Sequence, residues 1–362
     1  MTDVPAVPAP AEDPSPDRPE TTFTVVCPTY NRSRRLLPTL ESVRAQTVTD
    51  WELLVLSDGS DDDTAAVAEA LAAEDPRIRV FRLERTGHPS GPRQEGLRRA
   101  RGRYVAYIDH DDLWRPDHLA GVLPLLEAGA PVVATGYRAV DDTGAVIRRS
   151  AWWDMCWHPE LQVLDPLFEP SRLAHRRGVV ESVGGWRVTE GLEDWDLLLR
   201  LADAGHQVRT TTARTVTLYE GGTTRRYSVA PSHLAALYVT PDARVARRIR
   251  DALREPAARA ELTRAAQEDS RARIRRLRDS EGFVSPAPSE DVPGEGEAPT
   301  EAEVSGDRGP EPLIVPRGGA YALAVPVFCS APGHAARFEE LLRLHAPAQL
   351  AVVHALGEES GR

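Results

Sequence analysis

"GRYVAYIDHDDLW", residues 102–114, carries an apolar run from Tyr104 to Ile108 into three carboxylates within four positions: Asp109, Asp111 and Asp112. The run reads as a buried strand. Carboxylates this close repel one another unless a cation or a positively charged partner sits among them. The plain alternative is an acidic turn that caps the helix after Trp114. The surrounding rhythm has to decide between them.

Outward from this stretch, short apolar runs alternate with amphipathic ones from Thr22 onward. Strands are expected at "FTVVCP" (23–28), "WELLVLS" (51–57), "IRVFRL" (78–83) and "RYVAYID" (103–109). Helices are expected at "RRLLPTLESVRAQ" (34–46), "DDTAAVAEALAAED" (62–75) and "GPRQEGLRRARG" (91–102). Repeated strand–helix–strand units of this length predict a mainly parallel sheet flanked by helices on both faces, an α/β fold. Ligands in such sheets gather beyond the carboxyl ends of the strands. The rule sets Pro28 to Asn31, Ser57 to Ser60 and Asp109 to Asp112 along one rim. After "PVVATGY" (131–137) a helix is expected over "EPSRLAHRRGVVESVGG" (169–185) and a strong amphipathic one over "LEDWDLLLRLADAG" (192–205), followed by two strand-like runs up to Glu220.

The net charge of −11 is concentrated in one place. Residues 279–311 hold ten acids against Arg308 alone, in a Pro/Gly/Glu-rich stretch read as a disordered acidic linker. All 44 basic residues are Arg, so an isolated Arg carries little functional signal here. The Arg-rich stretch 242–278 intersperses its charges with acids, which favours a solvated helical pair over a nucleic-acid surface. The expected organisation is a disordered lead-in (1–21), a main domain (22–230), a helical Arg-rich extension (231–278), the linker (279–311) and a small strand–helix–strand unit (312–362). The linker and terminal unit are expected to be dispensable beyond about Ser280. No apolar run approaches the ~20 residues that cross a bilayer, so no transmembrane segment is expected. Cys27, Cys156 and Cys329 are far apart and read as buried thiols of a reducing compartment. The cytoplasm is therefore the expected location, with peripheral attachment to the inner membrane face still compatible.

Four loops meet on the predicted rim. "PTYNR" (28–32) opens a helix whose free N–H groups favour anions. "SDGSDDDT" places Asp58 where a carboxylate can accept from a ribose or a base. "GHPSGPRQEG" offers flexible backbone and Arg93 for a phosphate, and the "DHDD" carboxylates suit Mg²⁺ or Mn²⁺ bridging a diphosphate. With "VVCPTYNR", "WELLVLSDGSDDDT", "GPRQEGLRRARGRYVAYIDHDD" and "VGGWRVTEGLEDWDLLLRLADAG" in that order, the run from Phe23 to about Tyr227 resembles an inverting family 2 glycosyltransferase of the GT-A fold.

The resemblance implies a donor, a nucleotide diphosphate-sugar, bound by Pro28, Thr29, Tyr30, Arg32, Asp58, Arg93, Asp109 and His110. Gln94 stands where the family has Asn after this Arg. Asp111 is implied as the direct metal ligand, with Asp109 and Asp112 beside it, for Mn²⁺ or Mg²⁺. In the pair Glu193–Asp194, the Asp is implied as the general base that deprotonates the acceptor. A helix cap with an acidic first turn is the alternative reading of that pair, and Glu193→Gln is expected to be a mild counterpart of any change at Asp194. Arg225 and Arg226, in the Gly-hinged "YEGGTTRRYS", either close over the diphosphate or sit in an exposed loop. Trp152, Trp153 and Trp157 are either sugar platforms or core.

The expected activity is metal-dependent transfer of a sugar, with inversion, to an acceptor whose class stays open: a glycan, a lipid-linked sugar, a peptide or a natural product. Two rivals share the fold class. A nucleotidyltransferase would carry a Gly-rich basic loop after the first strand, which "PTYNR" lacks, and an inactive nucleotide-sugar-binding protein would have lost key carboxylates.

Overall fold

A computed structural model describes residues 21–159, 161, 167–188, 193–219, 274–275 and 277–289, together with the backbone of four strands within 234–354. The expected lead-in, most of the Arg-rich extension, Arg225, Arg226 and Cys329 lie outside the described residues.

The rhythm read from the sequence is realised in order: β1 (Phe23–Thr29), α1 (Ser33–Arg44), β2 (Trp51–Asp58), α2 (Thr64–Glu74), β3 (Ile78–Leu83), α3 (Ser90–Arg99) and β4 (Tyr104–Tyr107). These four strands run β3-β2-β1-β4, all parallel. Period-two alternation sorts their side chains between two cores. Phe23, Val25 and Cys27 of β1 face one layer with Leu36, Leu40 and Val43 of α1. Val26 faces the other, with Leu97 of α3. Helix α1 buries positions 36, 39, 40 and 43, the stripe that a 3.6-residue period predicts. Helix α3 lies so close to β1 that a Cβ on Gly96 would fall 2.4 Å from Val26 Cγ1. That close approach sets the height of Arg93 above the sheet.

The second half departs from the expected pattern. It comprises β5 (Leu113–Trp114), α4 (His118–Glu127), β6 (Val132–Val140), β7 (Val146–Arg149), β8 (Leu173–Arg176), α5 (Val179–Ser182), α6 (Glu193–Asp203) and β9 (Val208–Tyr219). The sheet continues β4-β8-β6-β9-β5, with β8 antiparallel to both neighbours, so it is mixed rather than mainly parallel. The helix expected over 169–185 is thus a strand followed by a single helical turn. Leu173, Ala174 and His175 are buried between β4 and β6, and backbone pairing on both edges outweighs the helical spacing of the segment. The two runs expected before Glu220 are one strand, β9, paired in parallel with β6.

Residues expected to begin the linker are packed against this domain. Val284 and Trp157 exchange backbone hydrogen bonds of 2.9 and 3.0 Å, and Ala287 bonds the backbone of Thr210 and Thr212. Ile274, Leu277 and Phe283 pack with Trp152, Trp153 and Cys156. Trp157 is fully buried, so it is core rather than a sugar platform. Cys27 and Cys156 are buried. Cutting the chain after Ser280 is therefore expected to lower the melting temperature of this domain relative to a cut after Ser289. Val284 alone buries a side chain worth roughly 1.5–3 kcal/mol, partly offset by the ordering of the segment, and each net kcal/mol is about 2–4 °C in a domain of this size. Equal melting curves for the two truncations would show that the packed segment contributes nothing.

A second sheet pairs β10 (Leu234–Thr240), β11 (Leu313–Arg317), β12 (Ala320–Pro326) and β13 (Val353–His354) in the order β11-β12-β10-β13. The start of the expected helical extension is thus a strand that joins the terminal unit. "LAALYVT" is apolar, free of Arg and too short for a packed helix. Among the described residues no helix is long and apolar enough to cross a membrane.

Candidate active site

The carboxyl ends of β1, β2 and β4 and the start of α6 open onto one cleft of about 570 Å³. Pro28, Thr29, Tyr30, Arg32, Asp58, Arg93, Asp109, His110, Asp111, Asp112, Glu193 and Asp194 all line it, joined by Arg85, His88 and Glu169, which sequence reasoning did not single out.

The β1 loop is tied to the β2 loop by Asn31, a non-glycine residue at φ +47°. Its backbone N–H donates to Ser60 Oγ, and its side-chain carbonyl accepts from the Asp61 N–H at 3.1 Å. Asn tolerates this left-handed geometry better than most residues, and that tolerance is the one signal that could have marked it. Thr29 is 2% exposed and its hydroxyl has no hydrogen-bond partner among the described residues, an orphan at the cleft wall.

Arg93 is clamped from three sides. Nη1 donates to Glu193 Oε1 at 2.7 Å and Nη2 to Asp109 Oδ1 at 2.6 Å, while the guanidinium lies 4.7 Å from the Trp186 ring centroid. Only 3% of its side chain is exposed. Burial alone would lower its pKa, but Asp109 and Glu193 outweigh that and hold it fully charged. Its geometry is that of a brace between the β4 loop and α6. Gln94, next along α3, accepts the Trp186 N–H at 2.8 Å. Arg200 of α6 reaches back to the carbonyls of Val183 and Gly185 and pairs with Asp196. The turn through Gly184 and Gly185, at φ +88° and +69°, is thereby locked, and it aims the chain toward the start of α6.

The "DHDD" turn splits its carboxylates. Asp112 is buried and accepts from Ser171 Oγ at 2.5 Å and from the Tyr219 N–H at 3.3 Å. The same Ser171 Oγ accepts the Asp109 N–H at 2.9 Å, so one hydroxyl clips the turn to the segment before β8. No sequence motif pointed to Ser171. Asp111 has 23% of its side chain exposed and lines the cleft, with His110 Nε2 at 4.0 Å. Burial lowers the pKa of His110 despite the opposing pull of Asp111 and Asp109.

Glu193 and Asp194 receive different treatment from the fold. Arg93 takes Glu193. Among the described residues Asp194 accepts the Trp195 N–H at 2.8 Å. Burial, reinforced by the neighbouring Glu193 charge, pushes its carboxyl up from 3.8 to about 7.

Residues 24–182 match the family model described as "Glycosyl transferase family 2". The chain carries a family 2 glycosyltransferase domain. It is 33% identical over 159 residues to the succinoglycan biosynthesis protein ExoO of Rhizobium meliloti, covering 44% of each chain. It is 34% identical over 121 residues to the putative teichuronic acid biosynthesis glycosyltransferase TuaG of Bacillus subtilis, covering 33% of this chain and 48% of that one. The chain thus spans about half or less of the length of these curated relatives. The GT-A fold is shared with the S. aureus TarS 1-349 structure solved with UDP-GlcNAc, at a TM-score of 0.50 and 19% identity over 64% of this chain and 67% of that one. The glycosyltransferase match ends at residue 182, so the Glu193–Asp194 segment lies beyond it.

Proposed function

We propose that the chain is an inverting glycosyltransferase that moves a sugar from a nucleotide diphosphate-sugar to an acceptor hydroxyl in one in-line displacement. The observation that carries the reading is the half-buried Asp194 carboxyl, raised to about 7 and lining the same cleft as Asp109 and Asp111. A base poised near neutral pH takes the acceptor proton as the new glycosidic bond forms. No covalent intermediate on the enzyme is required. Arg93 keeps Glu193 occupied, so the proton goes to Asp194 Oδ rather than to its neighbour. Two of the relatives are named for succinoglycan and teichuronic acid biosynthesis, which supports a sugar hydroxyl as the acceptor.

Among the described residues no three His, Cys, Asp or Glu side chains close a metal site by themselves. An open pair suits Mg²⁺ or Mn²⁺ bound jointly with a diphosphate, because such ions take one or two carboxylates and complete their shell with phosphate oxygens and water. Asp111 and Asp109 fit that demand, and Asp112 supports the turn from behind. The cation would offset charge on the departing diphosphate.

Transfer measured across pH 5–9 with a panel of nucleotide sugars tests the reading. Asp194 must be ionised to accept a proton, so the rate is expected to rise with pH as a single ionisation with a midpoint near 7. A rate that stays level from pH 5.5 to 8.5 would remove Asp194 from the role.

A further inference from the structure

Arg85 occupies both groups expected to meet the donor nucleotide. Its Nη1 bonds the Asp58 carboxylate, and its guanidinium carbon lies 3.3 Å from the Tyr30 ring centroid. Asp58 Oδ1 accepts the Thr86 N–H and the Thr86 hydroxyl, each at 2.7 Å. Oδ2 accepts from Arg85 and from the Gly87 N–H at 3.0 Å. The Thr86 hydroxyl also lies 3.0 Å from the His88 carbonyl, which competes for its single proton, so three N–H donors are committed to the Asp58 carboxylate: Arg85 Nη1, Thr86 and Gly87. The root of Arg85 is pinned as well, because a Cβ on Gly59 (φ +65°) would sit 2.8 Å from Arg85 Cβ. Yet 42% of the Arg85 side chain is exposed, and it lines the cleft.

We infer that the donor's nucleobase stacks on the outer face of the Arg85 guanidinium, with Tyr30 beneath that plane and Asp58 holding it in position. The guanidinium is planar and delocalised, and it stacks on aromatic rings and on bases alike. Tyr30, Arg85 and the base then form three layers. Asp58 becomes a positioning residue that neutralises and aims Arg85. Stacking engages the face that every base presents, so discrimination between bases at this contact is weak. The inference rests on the cleft being a nucleotide-sugar site.

Binding of UDP, GDP and inorganic pyrophosphate, measured by calorimetry on the full chain, tests it. Arg85→Ala is expected to weaken UDP and GDP about tenfold, the equivalent of a lost stack of about 1.4 kcal/mol, and to leave pyrophosphate unchanged. Arg85→Lys keeps the charge without the plane and is expected not to rescue. Asp58→Asn is expected to shift affinity in the same direction by a smaller factor. Unchanged or tighter nucleotide binding by Arg85→Ala would mean that the base stacks on bared Tyr30, and would overturn the inference. An equal loss for pyrophosphate would overturn it too, because Arg85 would then grip phosphate. If the wild-type chain bound pyrophosphate but neither nucleotide, the donor reading itself would fall.

Discussion

Asp194→Asn is expected to lower the transfer rate by roughly 10²–10⁴-fold while donor affinity holds. The change keeps the side chain's size and its acceptor for the Trp195 N–H, and removes only the group that takes a proton. Stability separates this outcome from a helix-capping role. The folded carboxyl holds its proton to about pH 7, whereas an unfolded one releases it near 3.8. Between those values the folded state binds more protons, so the group's contribution to stability falls as pH rises and stays low above 7. Asn lacks that penalty. At pH 8 the variant is expected to melt no lower than the wild type, despite its lost activity. A variant that transfers at near wild-type rate and melts earlier would make Asp194 a cap. Glu193→Gln, the mild counterpart expected from the sequence, also leaves Arg93, 3% exposed, with Asp109 as its remaining carboxylate partner among the described residues, so that variant is expected to melt earlier than the wild type.

Asp111→Ala is expected to abolish metal-dependent turnover without disturbing the fold. Its partly exposed carboxylate supports no packing, and such surface changes usually stay within about 0.5 kcal/mol. Chelation of the wild-type enzyme with EDTA is expected to give the same loss, and Mn²⁺ or Mg²⁺ to restore it. The variant is expected to lose nucleotide diphosphate affinity only when Mn²⁺ is present, since without the ion the two proteins present the diphosphate with nearly the same cleft. Full turnover by the chelated enzyme would end the metal reading. Asp112→Ala, by contrast, is expected to act through the fold, because it releases Ser171 and the Tyr219 N–H.

The parallel half of the sheet was legible because each of its strands is a local event. Phe23–Thr29, Trp51–Asp58 and Tyr104–Tyr107 are fully buried runs with helical spacing between them, and short-range hydrophobic period carries that information. It follows that the cleft's position was legible too, since it is the rim where those strands end. Leu173–Arg176 was not legible. It pairs with β4 and β6, far away in the sequence, and nothing in its own residues announces those partners.

By itself the sequence determined which loops bear carboxylates, that they share one edge, and which family they belong to, because chain order and strand polarity place loop ends before any side chain packs. The tertiary structure decided what each charged group does there. "DHDD" reads as three similar acids, yet Ser171 and the Tyr219 N–H draw Asp112 inward, Arg93 takes Oδ1 of Asp109, and Asp111 lines the cleft beside His110 at 4.0 Å. Glu193 and Asp194 are neighbours on one helical turn, yet Arg93 reaches from α3 to pair with Glu193, while burial, with the Glu193 charge beside it, raises Asp194 to about 7. Arg85 carries no motif, and its weight comes from Tyr30, Asp58 and Gly59 meeting around it. Burial and pairing fix the charge and the reach of an ionisable group, and both are set by residues brought together across the fold.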